Sequence, residues 1–142
     1  MKSRIEFRVE QHLPPKKDGA NSMWAKSAEV PRLIALRQAA VAAMTGRPAF
    51  RANVSLEIEV HCPVVPGQRV GDLDNFITGV CDGLMAADRG IKQDPRWEAP
   101  ECAKVHPSKC AALIDDDAVV SITARKVVGG SAPWYRVSLE GE

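Results

Sequence analysis

Between Val54 and Met85 the apolar pattern changes its period once, from two to 3.6. Val54, Leu56, Ile58 and Val60 alternate with Ser55, Glu57 and Glu59, the pattern of a strand with one buried face. Pro63, Pro66 and Gly67 break that pattern. Phe76, Ile77, Val80, Cys81, Leu84 and Met85 then share one side of a helix, which the spacing predicts from Asn75 to Met85. A strand that feeds a helix through a Pro/Gly loop points to an α/β fold.

The flanking segments extend this unit. Ile5, Phe7 and Val9 alternate with Arg4, Glu6, Arg8 and Glu10, so a strand is expected near the start. Pro14-Pro15-Lys16-Lys17-Asp18-Gly19 reads as a mobile basic loop. From about Ser27 to Met44 an apolar stripe (Leu33, Ile34, Leu36, Ala40, Val41, Met44) predicts a helix, with Pro31 suited to its first turn and Gly46 and Pro48 ending it. Residues 88–112 hold Pro95, Pro100 and Pro107 and read as irregular. Ala118 to Val127 is a strand candidate; Gly129-Gly130 is expected to turn the chain so that Trp134 to Leu139 pairs back as a last strand. The expectation is a single-domain layered α/β sandwich, with a mixed sheet packed by two main helices and an irregular insertion at about 88–112. A chain of 142 residues is large enough for one such core. No apolar run approaches a membrane span, and Met1-Lys2-Ser3-Arg4 leads into alternating residues without an apolar leader, so a cytoplasmic protein is expected. Cys62, Cys81, Cys102 and Cys110 are irregularly spaced and are expected to be free thiols.

The chemistry is concentrated in two acidic segments, Gly71-Asp72-Leu73-Asp74-Asn75 and Leu113-Ile114-Asp115-Asp116-Asp117. In extended backbone, residues two apart point to the same side. Asp72 and Asp74 would then turn both carboxylates toward one cation while Leu73 turns inward, with a third carboxylate coming from the later segment. Hard oxygen ligands select magnesium, or manganese, over softer metals. Two plainer readings stay open at this point. Asp74 is also a good helix N-cap, and the run of three aspartates also suits a solvated turn.

Gly71-Asp72-Leu73-Asp74-Asn75-Phe76, then Cys81-Asp82-Gly83-Leu84, then Leu113-Ile114-Asp115-Asp116-Asp117-Ala118-Val119-Val120 resembles the signature of RusA-type Holliday junction resolvases. That signature is a D-[LI]-D-N motif opening a helix, a D-[AG]-L at its end, and an apolar-D-D step into a Val-rich strand. The likeness spans nearly the whole chain except 88–112. It implies a homodimer that resolves four-way (Holliday) DNA junctions by paired symmetric nicks, using magnesium and leaving 5′-phosphate and 3′-hydroxyl ends. It also implies catalytic metal ligands at Asp72, Asp74 and Asp116, with Asp115 and Asp117 as rivals because the run of three blurs the register. Asp82 matches a family position read as structural.

The sequence departs from the family in two places. The family often carries a lysine four residues after the second motif aspartate, where this chain has Thr78, and it joins the helix to the acidic pair by a short loop, where this chain has 88–112. The insertion offers Lys92, Lys104 and Lys109 as replacement cations. Phosphate contacts are expected from Arg69, Lys16, Lys17 and Lys26. Residues 1–70 hold 11 Lys/Arg against 6 Asp/Glu and residues 71–142 hold 8 against 12, a division that suits a polyanion on one part and a metal on the other. Cys102, His106 and Cys110 have a spacing that would align them on a helix as zinc ligands, but Pro107 disfavours helix there and no fourth ligand accompanies them. Two other functions remain open: a junction-binding protein without cleavage, and a nuclease for other branched DNA.

Overall fold

The computed structural model describes residues 2–17, 22–64, 66–67 and 71–142. Strand β1 (Ser3–Glu10) is followed by helix α1 (Val30–Met44), strand β2 (Val54–Cys62), helix α2 (Leu73–Leu84), and strands β3 (Val119–Val128) and β4 (Trp134–Gly141). The four strands form one mixed sheet in the order β1-β4-β2-β3. Both helices pack on one face, through Ile5, Phe7 and Val9 of β1, Leu56, Ile58 and Val60 of β2, and Tyr135, Val137 and Leu139 of β4. The other face carries charged pairs that cross the strands, among them Arg136 with Glu6 and Arg125 with Glu59, and the Trp134 ring stacked on His61.

The last strand does not pair back on β3. It runs antiparallel to both β1 and β2 and lies between them, while β3 lies parallel to β2 at the sheet edge. Gly129 and Gly130, at φ 141° and 84°, therefore begin a crossover past the end of β2, not a hairpin turn. Burial gives the reason. Tyr135, Val137 and Leu139 are fully buried in the centre, whereas Val120 and Ile122 of β3 are 67% and 48% exposed. The strand with the most apolar inner face takes the position with a neighbour on each side.

Helix α1 begins at Val30, after a turn through Ser27–Glu29, with Pro31 in its first turn. Thr45 and Gly46 close it in the left-handed conformation, at φ 47° and 78°. Pro14 and Pro15 are buried, so this stretch is no free loop; the expected mobile segment beyond it, at Asp18 and Gly19, lies outside the described residues. Pro15 lies against α2 at Gly79, where an added Cβ would fall 1.9 Å from the Pro15 carbonyl oxygen. Backbone must move to admit a methyl group there. Gly79→Ala is expected to cost about 1–3 kcal/mol, as overpacking of a closed contact does. Urea denaturation checks it; an unchanged midpoint would mean that this contact is not tight in solution.

Residues 88–112 are packed. Two short 3-10 helices, Pro95–Glu98 and Pro100–Val105, each start on a proline, and Asp94 caps the first by accepting from the Arg96 N–H. Trp97, Cys102 and Val105 join Met23, Trp24, Val30 and Leu33 in a second apolar cluster on the outer side of α1. Trp97 is buried and its indole N–H donates to the Trp24 carbonyl (3.0 Å). The cluster is tied to the main core by Arg37 of α1, which is fully buried. Its guanidinium donates to the carbonyls of Val105 (2.8 Å), Gly83 (2.7 Å), Met85 (2.8 Å), His106 (2.9 Å) and Lys109.

Candidate active-site cleft

The first acidic segment opens α2. Asp72 is its N-cap in extended backbone, and the Phe76 N–H donates to the Asp72 carbonyl (3.2 Å). The helix starts two residues before the expected Asn75, so Asp74 is a first-turn residue. The same-side rule for extended backbone does not hold for this pair. Negative charge in a first turn is favoured by the partial positive charge of the helix end, which is the physical reason the helix takes in Asp74. The Asp72 side chain makes no capping bond. Both carboxylates face solvent.

The second acidic segment is fixed by backbone. The Phe50 N–H donates to the Ala112 carbonyl (2.8 Å) and the Ile114 N–H to the Phe50 carbonyl (3.0 Å). Leu113 is fully buried, and its N–H reaches the Leu84 carbonyl at the end of α2 (3.1 Å). Asp115 accepts from the Asp117 N–H (3.0 Å), opening a single 3-10 turn over Asp116–Ala118 that leads into β3. The aspartate run is thereby delivered beside the later part of α2. Asp115 and Asp116 line a cleft of about 340 Å³ with Asp82, Asp88, Lys17 and Ile91. A second groove of about 230 Å³ shares Asp82 and Asp116 and is lined also by Thr78, Cys81 and Ile122.

The charges in this cleft act on one another. A hydrogen bond shared with Asp115, followed by burial and the neighbouring charges of Asp115, Asp82 and Asp117, pushes the Asp116 carboxyl above its ordinary range. The Asp117 backbone N–H and the same shared bond hold Asp115 below its own. Crowded carboxylates of this kind favour a neutralising cation or proton. Lys17 donates its ammonium to Asp82 Oδ2 (2.7 Å). Among the described residues, no three Asp, Glu, His or Cys side chains converge as a ready-made ion cage. Asp116 is grouped with Asp82 and Asp115, and Asp72 and Asp74 lie at the opposite end of α2. At ~1.5 Å rise per residue, Asp74 and Asp82 are about 12 Å apart along the axis.

The remaining candidates fall in different places. Arg69 lies outside the described residues. Lys16 passes over the start of the motif: a Cβ at Gly71 would fall 2.8 Å from its Cδ. Lys26 sits in the turn before α1, its carbonyl accepting from the Val30 N–H (3.0 Å). Lys92, Lys104 and Lys109 are exposed and line neither cleft. Thr78 does border the smaller groove, but its hydroxyl donates to the Asp74 carbonyl of its own helix (3.1 Å). Cys102 is buried in the second cluster, where burial raises its pKa. The Cys110 thiol donates to the Leu113 carbonyl (2.8 Å), and the His106 ring meets Ser108 (2.8 Å) and Glu98 (3.3 Å).

Sequence reasoning missed two residues of the area as site residues, placing Asp82 among the structural ones and passing over Lys126. Asp82 is a cleft residue as well as a helix residue; its spacing of eight from Asp74 repeats the helix face and was the available signal. Lys126 of β3 donates to the Gly71 carbonyl (3.1 Å), next to the motif, and nothing in the local pattern marks it. Known protein-family models give no match to this chain, and no curated protein matches it either. Chemically, the described lining of the cleft offers hard oxygen donors and the Lys17 ammonium, a set suited to a divalent cation and a phosphate, while Cys81 in the adjoining groove has its pKa raised to about 11 by burial.

Proposed function

We propose that the chain is a magnesium-dependent endodeoxyribonuclease that resolves four-way DNA junctions, as its resemblance to RusA-type resolvases implies. The observation that carries this reading is the meeting of α2, which bears the Asp72–Asp74 motif and Asp82, with the Asp115–Asp116 turn across a cleft that also holds Lys17. As the resemblance implies, Asp72, Asp74 and Asp116 would hold the magnesium or manganese ion, with Asp115 and Asp117 as neighbouring donors; the three do not converge as they stand, so binding the ion would have to draw the start of α2 and the Asp116 turn together. Among the described residues, the carboxylates of Asp72 and Asp74, unlike their carbonyls, make no hydrogen bond or ion pair that an ion would have to displace. Such an ion, when bound, supplies charge neutralisation at the phosphate and a more acidic water. The chain's own contribution is orientation: the N-cap of α2 and the turn after Leu113 set the carboxylates on rigid elements. Lys16 and Lys17 approach DNA phosphate from the first loop, with Lys26 nearby. Two symmetric nicks call for two related sites, so the working form is a homodimer with two-fold symmetry. Among the described residues, no helix is long and apolar enough to cross a membrane.

The test is cleavage of synthetic four-way junction, flap and duplex DNA side by side, with and without magnesium. Cleavage of the junction alone, at opposed positions and only with the metal, is the expected result. Cleavage mainly of flaps would move the assignment to other branched DNA. Junction binding without any cut would make this a binding protein. In the same experiment, log affinity for the junction is expected to fall linearly with log salt concentration, each phosphate contact adding about 0.9 to the slope on duplex arms. A flat response would remove the lysines from the DNA surface.

A further inference from the structure

We propose that Lys17 is the cation that meets the scissile phosphate in this cleft, and that Asp82 is the residue that positions it. The proposal rests on the nuclease reading above and assigns a role that the helix leaves vacant at Thr78. A residue at position 78 lies on the face of α2 that borders the smaller groove, which meets the main cleft at Asp82 and Asp116, but Thr78 is neutral and its hydroxyl turns back to the Asp74 carbonyl (3.1 Å). The insertion reaches the main cleft through Asp88 and Ile91, but Lys92, Lys104 and Lys109 line neither cleft. Lys17 does.

Its placement follows from close packing. Gly79 has no side chain, so Pro15 rests directly on α2. One residue further on, the Lys16 N–H donates to the buried Glu29 (2.8 Å), and the Lys17 N–H then donates to the Asn75 carbonyl (3.3 Å). The backbone is thus pinned along α2, and the Lys17 side chain extends toward the next turns of the helix. Asp82 holds its ammonium at 2.7 Å. The Lys17 side chain is 47% exposed and that of Asp82 is 18% exposed, so the pair sits at the cleft wall with the ammonium on the open side. An ammonium has three N–H donors. One is engaged by Asp82, which leaves two for phosphate oxygens entering between Asp82 and Asp116. Asp82 above all, and then Asp88 and Asp116, raise the Lys17 pKa, so the charge persists throughout the working pH range.

A purely structural ion pair at such exposure is worth little, about 0–1 kcal/mol, and its loss leaves stability nearly untouched. The two roles therefore separate experimentally. Lys17→Ala is expected to lower the single-turnover cleavage rate at saturating protein by about 100-fold or more, the usual loss when one preorganised donor to a transition state is removed. Junction affinity should stay within about threefold, because one phosphate contact among several is lost. The melting temperature should not move, and Lys17→Arg should recover part of the rate. Asp82→Asn should lower the rate with the same unchanged affinity. A readout free of turnover is the lysine ammonium NMR signal of Lys17, followed while a four-way junction is added without divalent metal. The signal is expected to shift on binding in the wild type, and to lose that response in Asp82→Asn. If the wild type cuts junctions and Lys17→Ala cuts equally fast, or loses only affinity, the role of Lys17 is overturned while the nuclease reading stands. If the wild type neither binds nor cuts junction, flap or duplex, both fall together.

Discussion

Arg37→Ala is expected to destabilise the protein by roughly 3–5 kcal/mol, the range for removing one member of a buried, charged hydrogen-bond cluster. Five carbonyls depend on this one guanidinium: Gly83 and Met85 at the end of α2, and Val105, His106 and Lys109 from the insertion. Among the described residues, its hydrogen-bond acceptors are all carbonyls, with no carboxylate. The charge is balanced by the carbonyl dipoles of two helix ends, where the partial charge is negative. Burial lowers the Arg37 pKa to about 10, which still leaves it ionised at neutral pH. Lysine is no substitute, since a point ammonium with three donors cannot reach carbonyls that a planar five-donor fork joins. Arg37→Lys should therefore recover little. Guanidinium denaturation followed by tryptophan fluorescence is the measurement. Trp24 lies 5.1 Å from the guanidinium and Trp97 packs against Trp24 at 5.6 Å, so both report on this region. A loss below about 1 kcal/mol, the value of a single ordinary hydrogen bond, would show that the carbonyls find other partners.

Asp72→Asn and Asp116→Asn are each expected to reduce junction cleavage by about a thousandfold or more, since removing a metal ligand forfeits several kcal/mol of transition-state stabilisation at ~1.4 kcal/mol per factor of ten. Neither change should disturb the fold. Asp72 occupies an N-cap position without using its side chain, and asparagine is as good an N-cap as aspartate. Asp116 is exposed, and its turn is capped by Asp115 instead. Junction affinity should hold or tighten, because a negative charge facing phosphate has been removed. Single-turnover cleavage and a gel-shift titration on the same preparations give both numbers. An Asp72→Asn protein that cuts at the wild-type rate would end the metal assignment. The comparison with Asp82→Asn is informative: a ligand to the ion should cost more than a residue that only aims Lys17.

Much of the fold was legible because periodicity is a local signal. Val54 to Val60 and Phe76 to Leu84 show their burial in their own spacing, and the structure places these strands and helices within a few residues of expectation. The partner of β4 was not legible, because alternation fixes which side chains are buried but not which strand lies alongside. Arg37 was hidden for a related reason. It stands within an apolar stripe, and its acceptors are 46 to 72 residues away. The insertion looked irregular because Trp97, Cys102 and Val105 follow 3-10 turns, whose spacing matches neither helix nor strand. At the site, the aspartates were recognisable by type and motif. That Asp82 and Lys17 share the cleft depends on the contact between Pro15 and Gly79, which no spacing within either segment records.

The insertion of β4 between β1 and β2 also governs when the molecule can assemble. Ser3 pairs with Gly141, so the first strand has no place in the sheet until nearly all of the described chain exists. During synthesis β2, α2 and β3 emerge together and can join early, as a parallel strand pair with its own crossover helix. Strand β1 can pack on α1 but has no strand partner until β4 lies between it and β2. Contacts that close such long loops slow folding, because the entropy of closure is lost before the contacts repay it.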